Sequence, residues 1–248
     1  MVLINKLSEK EYWDQHWNEE KKIGNPTQYI FNDLLKEYLP YGGTYLEIGC
    51  TPGTTMVNFH KTFGYSVSGI DYSQADTVRK TLEKYNVVNG QVIDSDFTTM
   101  SVFDQFDVVA SYGFLEHFEN YSEIVGKQAE FVKPGGYLVI EVPNLRYFYW
   151  LMYRIFDPEL LRIHNLKIMS PSALSDPIRR SSEFEILFNN YYFTNFFFLD
   201  ANNPVIANRL FIRKNLFFIR KIMKVMKLDN IPNRFFSPYL IIIARKKS

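Results

Sequence analysis

The sequence predicts an α/β protein built on a mostly parallel sheet with helices on both faces. Two observations carry this: short apolar runs alternate with amphipathic stretches through residue 145, and turns holding glycine or proline separate them. The third observation is local. TYLEIGCTPGTT at 44–55 is an apolar run ending near an acidic residue, then a turn with Gly49, Pro52 and Gly53, then a helical pattern. Such a turn leaves N–H groups at a helix mouth without intrahelical partners, where they can grip a ligand.

Strands are expected over 44–48, 66–70, 91–93, 106–111 and 137–142, where apolar residues cluster between turn signals. Helices are expected over 27–39, 54–63, 74–84 and 122–131, after an amphipathic segment with Tyr12, Trp13 and Trp17. Pro143 ends the alternation. From 144 to 200 the chain is aromatic and irregular, 207–228 reads as a basic amphipathic helix or helix pair, and FFSPYLIIIARKK at 235–247 closes as a strand. The middle of this region reads as a cap inserted around the last hairpin of the sheet.

With 248 residues, 46% apolar and 22% charged, the chain suits one folded domain with elaborations. The lone Cys50 excludes an internal disulfide and a cysteine-rich zinc site, and its place in the glycine turn suits a small space-filler. Charges at Lys6, Glu9, Lys10 and Glu11 break up the opening stretch, which holds neither a signal-peptide core nor a spanning segment, so a cytoplasmic protein is expected. The net charge of +1 conceals an asymmetry. Residues 1–150 carry 12 Lys or Arg against 20 Asp or Glu, giving −8, and residues 151–248 carry 16 against 7, giving +9. An adenosyl ligand suits the acidic half, and something anionic suits the basic half.

GIDYS at 69–73 strengthens the glycine turn, because a strand ending in Asp71 offers a carboxylate to two ribose hydroxyls. With VIDSDF at 92–97, FDVVASYGFLEHFEN at 106–120 and VKPGGYLVIEVPN at 132–144, the chain resembles the class I S-adenosylmethionine-dependent methyltransferases. The resemblance is firmest over 40–145 and points to the members acting on small molecules and glycans. It implies a Rossmann-like, seven-stranded sheet of order 3-2-1-4-5-7-6, with strand 6 near 184–191 and an antiparallel strand 7 at 235–245. The implied division is a helical segment over 1–40, a cofactor core over 41–145, a substrate cap with strand 6 over 146–234, and the last strand over 235–248.

The resemblance also implies site roles. Glu47 and Gly49 begin the S-adenosylmethionine loop, Cys50 and Thr51 lie within it, and Gly53 ends it where backbone approaches the methionine portion. Thr51 stands where many members have glycine. Asp71 takes the ribose diol, Tyr72 flanks the adenine, Asp96 takes the adenine amino group with Asp94 as its neighbour and competitor, and Phe97 packs against the ring. Ser111, at the end of the fourth strand, completes the cofactor set.

For a hydroxyl acceptor a base is needed, and the chain has four histidines: His16, His60, His117 and His164. His16 and His60 suit surface or packing roles. His117 follows the fourth strand and suits either loop structure or catalysis; His164 lies in RIHNLKIMSPSAL of the cap. The Glu116–His117 pair and His164 resemble the divalent-metal segment of quinone and small-RNA methyltransferases, but Gly113 replaces the first glutamate, which removes a ligand and a negative charge. The expectation is metal-free base catalysis by His117 or His164, with Glu116 orienting or stabilising an imidazolium; a Glu116–His117–His164 metal site competes with it.

The expected activity is O-methylation of a small polar acceptor, phosphorylated or sugar-containing, such as a nucleotide-linked sugar or a surface-glycan or capsule precursor in polysaccharide biosynthesis. Arg154, Arg162, Arg179 and Arg180 in the cap favour an anionic substrate. No RNA-binding appendage accompanies the core, so nucleic acid is not expected as a partner. Two rival readings are a metal-assisted O-methyltransferase on a quinone precursor or RNA terminus, and a binding protein without catalysis, suggested by Thr51 and Gly113. The run 207–228 holds seven Lys or Arg and no acidic residue, and suits a solvated face, a phosphorylated substrate or peripheral contact with an anionic membrane.

Overall fold

The computed structural model describes residues 6–8, 10–18, 26–194 and 231–248, with backbone alone for 15–18. The basic run 207–228 and the His16 side chain lie outside the described residues. Seven strands form one sheet: β1 (Thr44–Ile48), β2 (Ser66–Asp71), β3 (Gln91–Asp94), β4 (Phe106–Tyr112), β5 (Val132–Pro143), β6 (Phe184–Tyr192) and β7 (Tyr239–Lys246). Their order is β3-β2-β1-β4-β5-β7-β6, and β7 runs antiparallel to both neighbours. The expected order and the antiparallel last strand are both present.

The central strands β1, β4, β5 and β7 are mostly apolar on both sides because both faces are covered. Successive side chains point to opposite faces, so one run feeds two cores. Leu46, Ile48, Ile140 and Ile242 enter one core with Ile124, Leu174 and Tyr149. Tyr45, Val139, Ile241 and Ile243 enter the other with Leu35, Met56 and Val78. Helices α2 (Asn32–Tyr38), α3 (Thr54–Asn58) and α4 (Ala75–Lys84) supply this second face; α5 (Tyr121–Glu130), α6 (Phe148–Phe156) and α8 (Pro171–Ser181) supply the first. Helix α1 (Lys10–Asn18) precedes the sheet, and the short α7 (Pro158–Arg162) follows α6.

Several boundaries differ from expectation for local reasons. The helix expected over 54–63 is α3 followed by a wider π-helical turn, Phe59–Phe63, which sets buried Phe59 at 3.9 Å stacking distance from Tyr45. Helix α2 begins only at Asn32, whose side-chain amide donates to Thr27 O at 3.0 Å and exchanges hydrogen bonds with Asn58. The glycine turn expected in KPGG is a kink inside the longer β5, with Gly135 at φ 75°. β7 starts at Tyr239 rather than 235 because Asn233 and Ser237 close a turn and Pro238 has no N–H to donate.

The loop between β1 and α3 presses against β2. A Cβ on Gly69 would stand 2.6 Å from Cys50 Sγ and 2.7 Å from Met56 Sδ, so only glycine lets these elements meet. Gly69→Ala is expected to destabilise the protein by about 1–3 kcal/mol through overpacking. In urea unfolding the midpoint should fall with an unchanged slope.

Candidate active site

A cleft opens at the carboxyl ends of β1, β2 and β4, where open parallel sheets bind their ligands. Its lining includes Gly49, Thr51, Asp71, Tyr72 and Asp96 on one side and Gly113, Phe114, His117 and Phe118 on the other. Five expected cofactor residues and one expected base therefore share one cleft.

Asp71 is the hub of the cofactor side. Its Oδ2 accepts from Thr51 N at 3.0 Å and its Oδ1 from Ser73 N at 2.9 Å. The carboxylate thus ties the glycine loop to the end of β2 while keeping lone pairs for a diol. Gly49 has φ 72°, and a Cβ there would meet Phe114 at 2.7 Å, so the loop passes close beneath β4's exit. The buried Thr51 Oγ1 has no hydrogen-bond partner among the described residues, leaving a hydroxyl at the loop where a bound ligand could meet it.

Asp96 lines the cleft and Asp94 is exposed outside it. Partial burial raises the Asp96 pKa, but bonds from Lys6 and Thr98 outweigh that and hold the carboxyl below its usual value. Five expected cofactor residues, Glu47, Cys50, Gly53, Phe97 and Ser111, do not line the cleft. Phe97 is buried against Phe131 and Phe114. Ser111 is fully buried and bonded to Gln128. Cys50 fills the space beside Gly69, and burial pushes its thiol well up, so it is a packing residue. Gly53, at φ 90°, packs on Val78 to start α3.

Glu47 lies behind the loop rather than in it. It is buried, Tyr45 Oη donates to its Oε2 at 3.0 Å, and burial pushes its carboxyl up to about 8. Sequence reasoning missed a second such acid, Glu141, although an acidic residue inside VIEVP was the available signal. Its Oε2 accepts from Gly113 N at 3.1 Å, and burial pushes it up to about 8. Lys6, Ser8 and Trp13 were missed as lining residues. Leu7 N donates to His117 O at 2.8 Å, which lays this segment across the cleft. A lysine in a polar N-terminal stretch carries no sequence signal for that.

Glu116, His117 and His164 come together, with one ligand atom from each within 4.8 Å of the others. His117 Nδ1 donates to Ile163 O at 2.8 Å and His164 Nδ1 to Leu160 O at 2.6 Å, since a carbonyl can only accept. In the neutral form of either ring the lone pair is then on Nε2. Glu116 Oε1 lies 3.6 Å from His117 Nε2, while Glu116 Oε2 is buried without a hydrogen-bond partner among the described residues. Burial, then the nearby Glu141, push the Glu116 carboxyl well above its ordinary value. His60 is elsewhere, its Nδ1 donating to Tyr65 O at 2.9 Å.

A sequence profile of the methyltransferase domain family matches residues 19–215. The chain belongs to this family. The ubiquinone biosynthesis O-methyltransferase of Hydrogenovibrio crunogenus is 25% identical over 184 residues, 68% of this chain and 74% of that protein. The dTDP-3-amino-3,4,6-trideoxy-alpha-D-glucopyranose N,N-dimethyltransferase of Streptomyces venezuelae is 29% identical over 112 residues, 44% of this chain and 46% of that one. Coclaurine N-methyltransferase, solved with N-methylheliamine and S-adenosylhomocysteine, shares the fold at TM-score 0.61 and 16% identity, over 92% of this chain and 75% of that one. The protein is therefore an S-adenosylmethionine-dependent methyltransferase, and the Asp71 carboxylate, the glycine loop and Asp96 in the cleft are groups that fit that cofactor. Among the described residues no helix is long and apolar enough to cross a membrane.

Burial of the two acids sets a pH dependence of stability. Burial pushes the Glu47 and Glu141 carboxyls up to about 8 from an ordinary 4.5. Across that window the unfolded chain has released protons that the folded one keeps, so their contribution to stability is full below 4.5 and lost as pH rises towards 8. Urea midpoints of the cofactor-free methyltransferase should fall over this range, and Glu47→Gln with Glu141→Gln should flatten the fall. Asp71→Ala should weaken S-adenosylmethionine binding by about 1.5–3 kcal/mol, the scale of hydrogen bonds to a charged group. Calorimetric titration reads this directly, and normal binding would mean that Asp71 holds only the loop.

Proposed function

We propose that the enzyme transfers its methyl group to a hydroxyl oxygen of a small polar acceptor, with His117 as general base. One observation carries this: His117 lines the same cleft as Gly49 and Asp71, with Nδ1 anchored on Ile163 O, which leaves Nε2 as the basic nitrogen of the neutral ring. S-adenosylmethionine supplies a methyl group activated on a sulfonium, so the protein's work is alignment and removal of one proton. The acceptor O–H proton goes to His117 Nε2. Glu116 Oε1, 3.6 Å away, faces the imidazolium that results, and that positive charge draws the buried Glu116 towards ionisation. Trp13 stacks edge-on against His117 at 4.7 Å and fixes the ring plane from the N-terminal side.

A sugar-containing or phosphorylated acceptor is supported by the +9 charge of 151–248 and by the amino-sugar enzyme among the relatives. The cap arginines give that reading no support within the cleft. Arg162 pairs with Glu159 and Arg180 with Asp176 at the surface, and neither Arg154 nor Arg179 is in the lining. Lys6 is the one cation among the described lining residues.

A metal-assisted second reading rests on Glu116 Oε2. A buried, partnerless carboxylate oxygen beside two histidines with carbonyl-anchored Nδ1 atoms is a donor set that fits a divalent cation. Glu116, His117 and His164 would hold it, and it would supply charge to stabilise the acceptor oxyanion. Gly113 adds no ligand, so a hard cation would have to complete its shell with solvent or acceptor.

His117→Ala should leave cofactor affinity within about twofold and lower turnover about 10²- to 10⁴-fold. Radiolabelled methyl transfer to nucleotide-linked sugars and catechols, with and without EDTA, checks both readings. Loss of activity on chelation favours the metal, and a product methylated on nitrogen overturns the hydroxyl acceptor.

A further inference from the structure

Helix α6 turns one face outward that its neighbours among the described residues leave bare. Tyr149 and Tyr153 point inward, with Tyr149 Oη donating to Phe236 O at 2.9 Å. The opposite face carries Trp150, Leu151, Arg154 and Ile155, all exposed, with Trp150 at 43%, Leu151 at 51% and Ile155 at 61%. Positions 150, 151, 154 and 155 fall on one side of a helix with 3.6 residues per turn. The patch continues beyond the helix start. Tyr147 packs edge-on against Phe235 at 5.2 Å, and the Arg234 guanidinium sits 4.7 Å over Phe235 and 5.6 Å over Tyr147. Arg146 covers Tyr147 at 5.2 Å.

The patch is basic as well as apolar. Arg146, Arg154 and Arg234 are in no ion pair with a described residue, unlike Arg162 and Arg180 nearby in the chain. Thr194 and Ile231 flank the undescribed stretch and meet through Thr194 Oγ1 donating to Ile231 O at 2.7 Å.

We propose that this face, α6 together with Arg234 and Phe235, docks on an anionic lipid surface. The chemistry is that of an interfacial anchor: a tryptophan and aliphatic side chains enter the headgroup boundary while arginines above them meet lipid phosphates. Arginines stacked on aromatic rings keep both functions in one place. A protein partner would be expected to offer carboxylates in fixed positions; a bilayer needs only the charge and the apolar depth. The docking is independent of which atom the enzyme methylates.

The test uses the full chain with vesicles of equal parts phosphatidylcholine and phosphatidylglycerol, and with phosphatidylcholine alone. Sedimentation should be strong with the anionic vesicles at low salt and should fall as salt is raised. Trp150 emission should move to the blue on binding, and Trp150→Phe should abolish most of that movement. A Trp150→Ser, Leu151→Ser, Ile155→Ser variant should lose at least about tenfold in partitioning, the scale of withdrawing three apolar side chains from the interface. Arg154→Glu with Arg234→Glu should remove much of the salt-sensitive part. Unchanged S-adenosylmethionine affinity in each variant shows that the fold is intact. Failure of the natural chain to sediment overturns the proposal. So does equal sedimentation of the triple variant, which would put the contact elsewhere, and so does self-association that the triple variant abolishes without any vesicle binding, which would make the face a protein interface.

Discussion

The Asp71 carboxylate is the joint on which the cofactor side of the molecule depends. It sits at the last residue of β2, where the parallel ladder with β1 and β3 fixes the backbone. From there it receives Thr51 N and Ser73 N, joining two loops that leave neighbouring strands. Ser73 in turn donates to Asp14 of α1 at 2.7 Å, so the N-terminal helix is tied to the same carboxylate through one residue. A carboxylate that lines the cleft thus also holds the loop beside it in shape. Preorganisation of that kind lowers the ordering cost of binding.

The fold was legible because its signals are local. Apolar runs such as YLIIIA at 239–244 and LVIEV at 138–142 have too few polar residues to face water on either side, and the structure buries them between two cores. The order of the last two strands came from resemblance, since nothing in the pattern of β6 or β7 says which is the edge. Boundaries moved where a side chain competed with the backbone: Asn32 with its amide, Pro238 with its missing N–H. Residues in the cap were legible as aromatic and irregular, but three helices within it, α6, α7 and α8, were not marked out in advance.

For the site, spacing identified residues whose role belongs to a loop or strand end, and failed for residues brought in from far along the chain. Asp71, Asp96 and His117 sit at ends of successive elements and line the cleft. Ser111 occupies the same kind of place, one residue before the end of β4, yet the pleat turns it to the opposite face, where Gln128 receives it. A two-residue period decides such cases, and Tyr112, its neighbour, lines the cleft instead. Lys6 reaches Asp96 across 90 positions of sequence, and only the folded chain reveals that pairing.

The acids behind the site bear on how charge is handled there. Glu47, Glu116 and Glu141 are all buried, and burial is the leading cause that keeps each protonated above its usual range. A neutral carboxyl is the cheaper form in such a place, because an unpaired buried charge costs several kcal/mol. The same burial makes each acid sensitive to any cation that comes near, since a positive charge in a poorly solvated region shifts the balance towards the carboxylate. Gly113 N is bonded to Glu141, and Gly113 is two residues from Leu115–His117, the short turn that carries Glu116 and His117.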